Sequence, residues 1–146
     1  MLSNLLRRLS GSDATPLAPD DARIAVAAVL VIAARADHAY EDSERAMIDR
    51  VLMARYGLDA GAAMRLRADG EAAEAAATDM YRFTALIKQH IPHEERTSVI
   101  EALWRVVLTD DVREAHEELT MRRLTDLLGV DPRDSVLARQ RVQGER

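Results

Sequence analysis

The sequence predicts an all-α fold: one bundle of about seven helices. Three observations carry that reading. Alanine with Leu, Arg and Glu dominates the composition, and these are the residues that lose least on entering a helix. The alternating β-branched runs of strands are missing. Apolar residues instead recur at three- and four-residue spacing between acidic or proline starts and glycine stops.

Taken in order, the start MLSNLLRRLSGSDATPLAP puts Leu2, Leu5, Leu6 and Leu9 on one helical face, beside Arg7 and Arg8. A secretory leader carries its charge before a longer apolar core, so this stretch reads as a retained amphipathic segment, with Ser10 to Pro19 as a linker. Residues 1–19 are thus set apart from a helical domain over residues 20–146. Asp20 or Asp21 is expected to cap a first helix running to about Ala36. Its run from Ile24 to Ala34 is eleven residues, bounded by Arg23 and Arg35, whereas a membrane span needs about 20. It reads as a buried core helix.

A second helix spans roughly Asp42 to Tyr56, with Met47, Ile48, Val51 and Leu52 inward and Gly57 as its stop. Asp59 caps a third, weaker helix, expected to end near Ala68 and close on Gly70. The following EAAEAAATD has little to bury and predicts a short helix or a break near Thr78. A fourth helix, about Asp79 to His90, presents Met80, Phe83, Leu86 and Ile87. Pro92 suits the first turn of a fifth, to Leu108, which buries Val99, Ile100, Leu103, Val106 and Val107. The sixth, about Ala115 to Leu128, offers Met121, Leu124, Leu127 and Leu128 and stops at Gly129. Asp131 and Pro132 open a seventh, to about Val142. Trp104 reads as core.

Sliding the chain on itself by 73 residues pairs Val26 with Val99, Leu30 with Leu103 and Asp37 with Asp110. The same shift pairs Glu41 with Glu114, Glu44 with Glu117, Ile48 with Met121 and Val51 with Leu124. A helix–turn–helix hairpin therefore occurs twice. Two copies predict a pseudo-symmetric single core rather than an open array.

The order of an apolar helix, ADHAYEDSER, a helix ending in RYGL, then MYRFTALIKQHIPHEERTSVIEALWRVVLTDD and EELTMRRLTDLLGV resembles the tellurite-resistance TerB-like family over about residues 22 to 140. The resemblance implies a small all-helical bundle on two such hairpins. It also implies a role in tellurite resistance and stress response, as a metal-linked or membrane-complex adaptor. The family's acidic turns read Ala-Asp-Gly before the later Glu. Here His38 and Asp111 stand at the glycine and Thr109 at the second alanine, which removes easy access to positive φ.

Asp37 and Glu44 are seven apart, as are Asp110 and Glu117. One account is capping. An Asp past one helix accepts from the N–H groups opening the next, and a Glu in that first turn is favoured by about 0.3–1 kcal/mol. The other account is a cation site. If the two turns meet, Asp37, Glu44, Asp110 and Glu117 gather carboxylates, with Glu41, Glu114, His38 and Asp111 at the margin. A hard divalent cation relieves their repulsion, Ca²⁺ more readily than Mg²⁺ because it tolerates irregular oxygen coordination. The turns are not EF-hands, because the loops are short and lack the glycine and the twelfth-position acid.

A net charge of −5 argues against general nucleic-acid binding. Without cysteine there is no disulfide, thiolate site or thiol chemistry, which fits a reducing cytoplasm. His90 and His93 are separated by Pro92 and a helix boundary, against a shared metal face, and His116 reads as solvated. Arg122, Arg123, Arg133, Arg139 and Arg141 make the C-terminal end basic, either as a solvated face or as a contact for an acidic partner or lipid surface. No Ser–His–Asp order, Gly-rich phosphate loop or HExxH is present. The expected protein is a non-enzymatic cytoplasmic adaptor, peripheral to the inner face of the membrane, with protein partners such as a membrane-bound complex and a divalent cation at the paired acids. The alternatives are a metal-dependent hydrolase using the same carboxylates, and an interaction module with no ion.

Overall fold

The computed structural model describes residues 19–37, 39–77, 79–109 and 115–145, and of residues 19, 20, 37 and 115–117 the backbone alone. The leucines at 2, 5, 6 and 9 lie outside the described residues. Seven α-helices and no strand occur among the described residues: α1 (Pro19–Ala34), α2 (Asp42–Tyr56), α3 (Ala60–Ala76), α4 (Tyr81–His90), α5 (His93–Val107), α6 (Ala115–Leu127) and α7 (Pro132–Gly144). A 3-10 turn, Arg35–Asp37, follows α1.

Helix α1 is apolar on every side, so it has to be covered on every side. Ile24 through Val31 are fully buried, and α2, α3, α4, α5 and α6 all pack around it. Leu30 and Leu103, which the repeat pairs, are both inaccessible to solvent. Helix α7 closes the far side by packing on α5. No helix among the described residues is long and apolar enough to cross a membrane.

The helix ends follow their chemistry. Gly57 and Gly129 adopt left-handed φ of 63° and 69°, and Leu58 N–H then donates to Met53 O at 3.1 Å. Asp59 caps α3 by accepting from Ala62 N at 2.8 Å, and Asp131 caps α7 by accepting from Arg133 N at 2.8 Å.

Three expectations are corrected. Helix α1 already includes Pro19, so Asp20 and Asp21 lie within the helix rather than ahead of it as its cap. Pro92 precedes the first turn of α5, with an extended ψ of 152°, instead of lying within it. Most informative, Gly70 does not close α3. The helix continues through it to Ala76, and Ala63, Gly70 and Ala73 are buried. This small-residue face lets α3 approach the Ala27–Ala28 backbone of α1 closely, so the alanine stretch has a partner after all.

Candidate functional site

The first acidic turn is built where α1 runs out of apolar residues. The chain tightens into the 3-10 turn Arg35–Asp37, and that turn packs against α6. Tyr40 follows, with Arg45 over one part of its ring at 4.3 Å from the centroid and Arg35 at 5.1 Å. Its hydroxyl donates to Glu71 Oε2 at 2.6 Å. The same oxygen accepts from Arg67 Nη1 at 3.0 Å, while Arg67 Nε donates to Asp49 Oδ1 at 2.7 Å.

Arg45 Nε lies 3.9 Å from Glu71, and Arg35 lies 3.9 Å from Glu74. Tyr40, just past the turn, is thereby stapled to α3 by its bond to Glu71 and to α2 by the Arg45 contact, and Arg35 adds a looser ion pair to α3. Burial, and then the bond to Glu71, raises the Tyr40 phenol well above its ordinary value. The bond to Asp49 raises the Arg67 guanidinium further.

Of the acids chosen from the sequence, Glu44 is the best defined. It is 6% exposed and stands at the third position of α2. Its Oε1 accepts from Glu41 N–H at 3.0 Å, while Glu44 N donates to Glu41 O at 3.1 Å. The carboxylate thus satisfies a backbone donor at the helix entry. Asp37 has its backbone in the 3-10 turn, and Glu117 has its backbone in the first turn of α6. Because turn and helix pack together, the backbones carrying Asp37 and Glu117 belong to neighbouring elements. Asp110, Asp111, Glu114 and His38 lie outside the described residues. Among the described residues no three His, Asp or Glu side chains group as metal ligands.

Elsewhere, His93 Nε2 donates to Gly129 O at 3.1 Å, tying α5 to the end of α6. Trp104 is buried, with its indole N–H on Ser135 Oγ at 3.1 Å. Arg141 pairs with Glu101 at 2.7 Å, and Arg105 grips Glu145 through two bonds of 3.1 and 2.8 Å. The C-terminal arginines therefore include structural cations as well as exposed ones.

The Tyr40–Glu71–Arg67–Asp49 network was missed in the sequence. Glu71 sits 31 residues from Tyr40 in a stretch that looked short of anything to bury, and only the Arg67–Glu71 spacing of four hinted at a pair.

The family model described as Tellurite resistance protein TerB matches residues 23–140, and the chain belongs to that family. No curated protein and no solved structure matches the chain.

Proposed function

We propose that this member of the TerB family works as a non-catalytic adaptor of a tellurite-resistance or stress-response system. Its state is set by a divalent cation, Ca²⁺ in preference to Mg²⁺, held by Asp37, Glu44, Asp110 and Glu117. The observation that carries the reading is the packing of the Arg35–Asp37 turn on α6, the helix that bears Glu117 in its first turn. If Asp37, Glu44, Asp110 and Glu117 gather at that junction their carboxylates repel, and a hard cation with oxygen ligands relieves them. An anionic cluster repels a tellurium oxyanion, so the role in resistance is indirect, through a protein partner such as a membrane-bound complex.

A second reading has its own support. Glu44 is already used as a helix cap through the Glu41 N–H, which suits an interaction module whose acids shape corners and hold no ion. A hydrolase using the same carboxylates requires an open coordination position in a concave pocket, and no described feature favours it.

A thermal melt of metal-stripped protein, with and without millimolar Ca²⁺ or Mg²⁺, separates the readings. A cation at about 100 times its Kd stabilises by roughly 2.7 kcal/mol, a shift on the order of 5–10 °C for a domain of this size. The expected result is such a shift in the wild type and none in Asp37→Asn/Asp110→Asn. A flat melt with both ions leaves only the capping reading.

A further inference from the structure

A cavity of about 290 Å³ opens between α5, α6 and α7. Its floor is Trp104, whose indole N–H is committed to Ser135, and Arg139 from α7 lies over the indole with its guanidinium 5.5 Å from the ring centroid. Stacking on an aromatic face uses none of the in-plane N–H donors. A guanidinium held in this way keeps its fork ready for a carboxylate. Neither Arg139 nor Arg122, which lines the cavity from α6, makes a hydrogen bond or ion pair among the described residues.

Two acids share the lining. The lining thus carries two acids and two arginines, and no ion pair joins either acid to Arg139 or Arg122 among the described residues. A ligand carboxylate supplies the partner that these two guanidinium groups lack. The remaining wall, including Met121 and Val136, is apolar, and apolar walls with a few convergent polar groups are the usual make-up of small-ligand sites.

We propose that this cavity binds a small organic monocarboxylate with a flat apolar body. The carboxylate is taken by Arg139 and Arg122, and the body rests against Trp104, Met121 and Val136. The proposal does not depend on the cation reading.

Trp104 is the sole tryptophan, so its indole N–H gives one cross-peak in a ¹H–¹⁵N spectrum of the full chain. Titration with 3-phenylpropionate is expected to move that peak saturably at millimolar concentration. The neutral isostere 3-phenylpropanamide is expected to bind at least about tenfold more weakly, because it cannot make the charge-assisted pair. Arg139→Gln is expected to weaken the acid by a similar factor and to leave the amide unchanged. Val136 is 52% exposed, so Val136→Phe tests occupancy without depending on the core, and is expected to abolish both shifts by filling the space. An unmoved indole peak, equal binding of acid and amide, or undiminished binding to Val136→Phe would each overturn the proposal.

Discussion

A β-carbon placed on Gly70 falls 2.6 Å from the Cβ of Ala27 and 2.8 Å from the Ala27 carbonyl carbon. Both contacts are shorter than atoms tolerate, and one is with backbone that cannot swing aside. Helices α1 and α3 therefore meet at a point where only hydrogen fits.

Gly70→Ala is accordingly expected to destabilise, although alanine is the better helix former by about 1 kcal/mol. Overpacking of a core contact costs about 1–3 kcal/mol, and separation of the two helices adds lost burial. The net expectation is a lower melting temperature, by roughly 3 °C for each kcal/mol lost. Gly61 supplies the internal control. It lies in the exposed first turn of the same helix, where an added Cβ meets only side-chain atoms at 3.5 and 3.6 Å. Gly61→Ala is expected to raise the melting temperature. Both variants moving upward would show that the α1–α3 approach is not as close as described.

The contrast between these two glycines shows what the sequence could and could not say. Helix α2 was legible to its boundaries, Asp42 and Tyr56, because both end signals are local: acids at the entry and a left-handed Gly57 at the exit. Helix α7 was legible for the same reason, through Asp131 and Pro132. Gly70 was misread as a stop because its function depends on Ala27, 43 residues away in the chain. An alanine-rich face also gives little periodic contrast to read. The Tyr40–Glu71 bond is equally non-local, and nothing near Tyr40 announces its partner. Glu44 was read correctly as a first-turn acid, but its reach back to Glu41 N–H depends on a rotamer. The expectation that the acidic turns converge rests on the repeat, which pairs residues by register and places none of them in space.

Tyr40 gives the staple around the first turn a pH signature. Its phenol is raised in the folded state, so folding favours the neutral form. That contribution is whole below the ordinary tyrosine value of about 10 and drains away as pH rises above it. The cause is physical: deprotonation sets a phenolate against the Glu71 carboxylate in place of a 2.6 Å donor. Tyr40→Phe is expected to cost about 1.5–3 kcal/mol near neutrality, the range of a hydrogen bond to a charged group. The gap from wild type should narrow in urea melts above about pH 10. A gap that stays constant from neutral to alkaline pH would mean that the phenol is not held neutral by this contact.

Glu44 allows the two roles argued for the acidic turns to be separated in one residue. As a cap, its Oε1 holds the Glu41 N–H at 3.0 Å from a buried position. Glu44→Ala strips that acceptor and leaves the donor unpaired, and is expected to lower the metal-free stability by about 1 kcal/mol, the usual loss of a cap. Glu44→Gln keeps a carbonyl oxygen at the same reach, so its metal-free melt should stay within about 0.5 kcal/mol of wild type. Calcium then discriminates. A neutral amide is a much poorer cation ligand than a carboxylate, and the lost charge no longer needs relief. If Glu44 helps to hold the ion, Glu44→Gln keeps the metal-free melting temperature and loses most of the calcium-dependent rise. Should Glu44→Gln respond to calcium as fully as the wild type, Glu44 leaves the ligand set.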